Sequence, residues 1–200
     1  MIRSFLCKSL LNLIFPLRCI ACEESLSTAM ILCKECLSHL VLLQPSSHCP
    51  RCFGPKTFHE CKRNGLTRQA FCFEYSPIIE KFKVLELSKI LASYLLVQLQ
   101  QLQSPIDFIT TVPEHPLRRF TAPFLQDNFF ADHLATELSL PRREFLRAVS
   151  DEEFTPRSSY EFTGEQLLIV GFRPKSNTRR AIQVLKNQGP CKVLGLYITN

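Results

Sequence analysis

The chain has 200 residues, 46% hydrophobic and 21% charged, with a mean hydropathy of +0.03. That composition excludes a disordered chain and provides one sizeable core, enough for one domain with a small annex. No stretch approaches the roughly 20 uncharged apolar residues of a membrane-spanning helix, and 24 Lys and Arg against 18 Asp and Glu leave +6, which permits anionic partners without demanding them.

The first sixteen residues place Ile2, Phe5, Leu6, Leu10 and Leu13 so that one face of a short helix is apolar. Lys8 interrupts the apolar run and no small-residue cleavage site follows, so the segment reads as an amphipathic helix rather than a secretory leader. Cysteine then dominates. Of ten, eight lie within residues 1–65: Cys7, Cys19, Cys22, Cys33, Cys36, Cys49, Cys52 and Cys61. Six of them form three CxxC pairs. Two residues between thiols make a tight knuckle that turns both sulfurs to one point, and two knuckles supply the four ligands of tetrahedral Zn²⁺. Vicinal pairs are poor staples for long loops, which argues against a disulfide scaffold and for a reducing, cytoplasmic setting.

The first metal group is Cys19, Cys22, Cys33 and Cys36, in the pattern CxxC-x10-CxxC. A second group combines Cys49 and Cys52 with His59 and Cys61, although one residue between the last two ligands is an unusual spacing. One zinc ion is therefore expected, with a second where that group is occupied. His39 and His48 read as ordinary histidines. A module of this size buries little core, so metal is the expected source of its stability. Asn64-Gly65 is a turn signal, dividing a Cys-rich module (1–65) from a body (66–200).

In the body, Ala70–Tyr75 reads as a strand, and Pro77 opens a helical pattern running to about Gln103. Ile106–Val112 is a short buried strand stopped by Pro113 and Pro116. A helix follows over Gln126–Leu138, then a short segment at Phe145–Val149. Leu167–Val170 is an apolar strand, Gly171–Asn177 a loop, Thr178–Asn187 a helix closed by Gly189, and Lys192–Thr199 a further strand. Strand, helix, strand implies parallel pairing, so the fold class is α/β.

The order of parts resembles the ComF family, which is linked to natural competence. Its members join a zinc-ribbon-like module to a type I phosphoribosyltransferase domain. The resemblance spans nearly the whole chain: Leu13-Ile14-Phe15-Pro16-Leu17-Arg18-Cys19-Ile20-Ala21-Cys22 at the first knuckle, Leu32–Leu37 at the second and Cys49-Pro50-Arg51-Cys52 at the third. It continues through Phe73-Glu74-Tyr75, Val112–Pro116 with Arg118 and Arg119, and Asp127–Pro141 with its Leu-Ser-Leu-Pro ending. The resemblance implies a type I phosphoribosyltransferase-like parallel sheet. It also implies that the strand at Leu167–Val170 should run into two acidic residues that hold ribose hydroxyls, then a T-T-G-x-T loop that holds a 5′-phosphate.

Here the acidic pair falls on Gly171 and Phe172, and the loop reads Arg173-Pro174-Lys175-Ser176-Asn177-Thr178. The R-G-F-N-Q run expected after Arg119 is also replaced, and the segment before Phe162 is shortened. Neither glycine nor phenylalanine can accept a hydroxyl proton, so a pseudoenzyme with no catalytic residues is expected. Arg173, Lys175, Ser176, Asn177, Thr178 and Arg179, with Arg180 beside them, still surround a helix start and form a candidate phosphate or anion site, or else a solvated basic one. Arg118, Arg119, Arg142 and Arg143 read as exposed surface, and Glu114-His115 as diverging neighbours in a Pro-flanked turn.

Three functions follow as expectations. The first is a ComF-like competence protein that assists uptake or processing of single-stranded DNA, with DNA and competence or recombination proteins as partners. The second is a divergent phosphoribosyltransferase, which would need Mg²⁺ and phosphoribosyl pyrophosphate. The third is a non-enzymatic protein-interaction module built on the cysteines.

Overall fold

Leu167–Val170 and Val193–Ile198 are apolar on both faces, the pattern of strands covered from both sides. In the computed structural model they lie at the centre of a four-stranded sheet. The structure describes residues 17–26, 31–49, 51–57, 61, 66–80, 85–115, 126–157 and 159–199. Contacts divide the chain into two compact units, Met1–Val41 with Ser76–Phe82, and Leu42–Tyr75 with Lys83–Asn200. The expected amphipathic helix at the start lies outside the described residues.

The larger unit holds the α/β body. Its strands are β1 (Arg68–Phe73), β2 (Phe108–Thr110), β5 (Gln166–Gly171) and β6 (Lys192–Thr199), in the order β1-β6-β5-β2 and all parallel. Arg68 stands opposite Leu194, Gln166 opposite Lys192, and Phe108 opposite Leu167. β3 (Leu146–Ala148) and β4 (Phe154–Pro156) form a separate antiparallel hairpin. The α/β class and the parallel pairing are as the sequence implies. The hairpin is not: Phe145–Val149 alone carries no signal for its partner at 154–156, because each strand is only three residues long.

In the smaller unit, helix α1 (Lys34–Ser38) starts on the first Cys quartet and α2 covers Pro77–Glu80. The larger unit contains α3 (Leu85–Leu102), α4 (Gln126–Leu138) and α5 (Thr178–Asn187). Of the helix expected from Pro77 to Gln103, the described residues give α2 and α3, and residues 81–84 lie outside them. Leu91, Leu95, Leu99 and Leu102 recur at helical spacing on the buried face of α3, and Phe130, Ala131 and Leu134 do so on α4. Those two helices pack on each other, α3 also against β1 and β6, and α4 against β2 and β5. Helix α5 buries Thr178, Ala181, Ile182 and Leu185 and touches the β3–β4 hairpin. It ends at Gly189, whose φ of +130° and whose missing Cβ, which would stand 2.2 Å from the Phe162 carbonyl oxygen, leave no room for another residue.

Both terminal strands are covered. Beside β2, Ile109 N–H donates to Pro141 O (3.1 Å), and Arg143 N–H donates to Ile109 O (3.0 Å). Beside β1, Leu42 pairs with Phe73, Leu43 N–H donates to Cys72 O (2.8 Å), and Gln69 N–H donates to Arg51 O (3.0 Å). Covering prevents an open row of backbone donors and acceptors from recruiting another chain.

Candidate functional site

Two stretches of the Cys-rich segment adopt one backbone design, thirty residues apart. In the first, Cys19 N–H donates to Glu24 O (2.8 Å), Glu23 N–H to Cys19 O (2.8 Å), and Arg18 bridges Ser25. In the second, Cys49 N–H donates to Gly54 O (2.8 Å), Phe53 N–H to Cys49 O (2.9 Å), and His48 bridges Pro55. The residue after the second cysteine is left-handed in both, Glu23 with φ 63° and Phe53 with φ 55°. That turn folds each knuckle back so that its two thiols face the same way.

The thiols of Cys19, Cys22, Cys33 and Cys36 lie within 4.8 Å of one another, and Cys22 Sγ is 3.7 Å from Cys33 Sγ. Four sulfurs on a tetrahedron around Zn²⁺ at about 2.3 Å would stand about 3.8 Å apart, so the donor set fits zinc. Cys33 also caps α1, its sulfur accepting from Cys36 N–H at 3.4 Å. Cys19 and Cys36 are buried, while Cys22 is exposed.

The thiols differ in acidity. Burial would raise Cys19, but N–H groups of Cys22, Cys33 and Ala21 outweigh it and bring the thiol down to about 6. Burial, reinforced by the neighbouring thiols, pushes Cys36 well above the ordinary range. A metal ion filling the quartet must therefore displace the Cys36 proton.

Cys49, Cys52 and Cys61 form the second group, again within 4.8 Å. Burial raises the Cys52 thiol, with Cys61 and Cys49 adding to it and the Gly54 N–H opposing. Three converging sulfurs suit zinc here too. His59, the remaining ligand read from the sequence, lies outside the described residues. His48 does not join this group: its Nδ1 is 2.7 Å from Gln44 O, and its ring stacks on Phe53.

The family model described as Double zinc ribbon domain matches residues 10–74. The chain carries a double zinc ribbon. The matched segment contains both Cys groups and ends one residue past β1. No curated protein and no solved structure matches the chain.

Away from the ribbons, the candidate anion loop between β5 and α5 is engaged from within. Lys175 Nζ lies 2.8 Å from Asp127 Oδ2 and 3.0 Å from Glu114 Oε1, and donates to Val112 O at 3.1 Å. Burial alone would lower the Lys175 ammonium's pKa, but the Asp127 and Glu114 carboxylates outweigh it and hold the group above its usual value. Asp127 Oδ1 accepts from Phe172 N–H at 2.7 Å, and a Cβ on Gly171 would crowd the same oxygen at 3.3 Å. Thr178 Oγ1 accepts from Lys175 N–H (3.0 Å), and Asn177 Nδ2 donates to Asp151 O (2.5 Å). Arg173, Ser176 and Arg179 are exposed.

The other candidate cations are distributed rather than gathered at this loop. Arg180 pairs with Glu152, Arg142 with Asp132 (2.5 Å) and Glu144 (3.6 Å), and Arg143 lies over the Phe108 and Tyr160 rings at 5.0 and 5.6 Å. Arg118 and Arg119 lie outside the described residues. Sequence reasoning missed Asp127 as the loop's anion. The only local hint is an acidic residue in the first turn of α4, a place where acids are common anyway. Among the described residues, no helix is long and apolar enough to cross a membrane.

Proposed function

We propose that this chain is a zinc-dependent ComF-like protein that assists handling of single-stranded DNA and carries a phosphoribosyltransferase-like body without transferase activity. One observation carries the catalytic half of that reading. Lys175, the half-buried cation of the loop where a phosphoribosyl group would sit, is engaged by Asp127 and Glu114. A pyrophosphate ester arriving there would have to displace two carboxylates already in place.

The DNA half rests on the resemblance and on charge: residues 1–65 hold eight basic and four acidic side chains, net +4. Counterion release then predicts binding that weakens steeply with salt. The test is metal analysis of the purified protein, followed by titration of the zinc-loaded chain with a fluorescent single-stranded oligonucleotide at several salt concentrations. Saturable binding with a negative salt slope supports the reading, and no binding at low salt refutes it.

A second reading has an observation of its own. Asp127 and Glu114 bring two carboxylates to the β5–α5 loop, where the resemblance calls for an acidic pair that Gly171 and Phe172 lack. In a divergent transferase those carboxylates would leave Lys175 and turn to ribose hydroxyls. Calorimetry with phosphoribosyl pyrophosphate and Mg²⁺ separates the readings, because saturable Mg²⁺-dependent heat favours the transferase and its absence favours the non-catalytic protein. Binding of neither ligand leaves the interaction-module reading. Leu17, Ile31, Leu37 and Val41 are exposed apolar side chains of the smaller unit that suit a protein partner.

A further inference from the structure

The two knuckles share a backbone but not a side chain at the left-handed position after the second cysteine. In the first knuckle that residue is Glu23, which is exposed; in the second it is Phe53, which is 5% exposed. Phe53 stacks on His48 (4.8 Å between centroids), meets Phe71 of β1 edge-on (5.8 Å), and Phe71 in turn stacks on Tyr197 of β6 (5.7 Å). The second knuckle thus places an aromatic ring in the core of the sheet.

Its backbone is tied to the same strand. Gln69 N–H donates to Arg51 O at 3.0 Å, and Gln69 Nε2 donates to Cys52 O at 2.5 Å. One residue of β1 therefore holds both the carbonyl before a metal-ligating cysteine and the carbonyl of that cysteine itself. Next to this contact, Leu43 N–H donates to Cys72 O (2.8 Å), and Gln98 of α3 holds Leu43 O at 2.6 Å. β1 ends the sheet, so these contacts cover its outer side.

We propose that the Cys49–Cys52–Cys61 group is a metal clasp on the outer edge of the α/β sheet, with Gln69 as the positioning residue that couples the metal to β1. Metal on the three thiols holds the 49–52 turn in the one shape that presents Arg51 O and Cys52 O to Gln69 and lowers Phe53 onto Phe71. Because coupling between two equilibria is reciprocal, docking of this turn on β1 raises metal affinity by the factor by which bound metal favours docking, and Gln69 contributes to both. With the metal gone, the outer edge of β1 becomes available for pairing with another extended chain.

The test uses the full chain in two measurements. In the first, zinc release to a chromophoric chelator is followed for wild type, Gln69→Ala and Cys61→Ser, the last marking which phase belongs to the second group. Gln69→Ala is expected to weaken zinc in that phase about tenfold, equivalent to about 1.4 kcal/mol. A change of less than twofold overturns the coupling. In the second, backbone amide exchange is measured with zinc bound and after chelation. Loss of protection in β1 with β5 still protected supports the clasp, whereas an unchanged β1 overturns it. Should Cys61→Ser fail to fold, the biphasic release of wild type against Gln69→Ala still decides the matter, since a merely structural glutamine would leave both zinc phases unmoved.

Discussion

Replacing Lys175 by methionine tests whether the β5–α5 loop is an internal ion group or an anion receptor in waiting. The lysine is 23% exposed, and its carboxylate partners Glu114 and Asp127 are 24% and 15% exposed, so water reaches the group only in part. At an effective dielectric constant of about 20, charges about 3 Å apart attract by about 5–6 kcal/mol for each carboxylate. Desolvation offsets most of that gain. What decides the mutant is therefore the pair of carboxylates left facing each other without a cation, which costs about 3 kcal/mol, near the low end for breaking a buried pair. In a chain of this length that corresponds to a fall in Tm of about 6–12 °C. The triple variant K175M/D127N/E114Q removes the unpaired charges, retains an acceptor for Phe172 N–H, and should return to within about 1 kcal/mol of wild type. Circular dichroism during thermal and urea unfolding measures all three proteins. The sign with pH also follows. Lys175 is held above its ordinary 10.5 in the folded state, so its contribution is complete below the unfolded value and disappears only as pH rises through the folded one. The gap between wild type and K175M should stay level from about pH 6 to 9 and close in strong alkali. A K175M protein as stable as wild type would refute the ion group, and a triple variant as weak as the single one would show that packing, not charge, is at stake.

Three further outcomes are expected. Cys36→Ser should lose one equivalent of zinc by elemental analysis, because that buried thiol completes the first quartet; full zinc content would show that another donor replaces it. Wild-type zinc occupancy should fall as the medium is acidified, since protons compete for all four sulfurs and Cys36 holds its proton most tightly; an equilibrium dialysis series from neutral to acid pH that shows constant occupancy would contradict thiolate ligation. Gly189→Ala should destabilise the body by about 2 kcal/mol or more, from the left-handed backbone and the 2.2 Å approach to Phe162 O; an unfolding midpoint equal to wild type would show that the α5 terminus rearranges freely.

What could be read from the chain alone was local. Two residues between thiols suffice to form a knuckle, so the Cys19–Cys36 quartet was visible as a metal site before any fold was known. Helix α5 and strand β6 fall where their apolar spacing places them, because both patterns repeat within a few residues. His59 reads as a ligand on the same local grounds, and the same spacing suits a loop histidine equally well.

Tertiary structure decided the rest, since those features depend on residues far apart in sequence. Nothing in Asp127 announces that it will meet Phe172 N–H, 45 residues later, and neutralise Lys175. The spacing of two knuckles shows them as equals, whereas the structure makes Glu23 a surface residue and Phe53 part of a sheet core. Strand order works the same way: β6, last in the chain, lies between β1 and β5, and its residues from Val193 to Thr199 are all buried. That leaves β1 at the edge, where the second ribbon covers it. Chain-local geometry thus set out two groups of thiols fit to hold metal; long-range packing tied the second of them to β1.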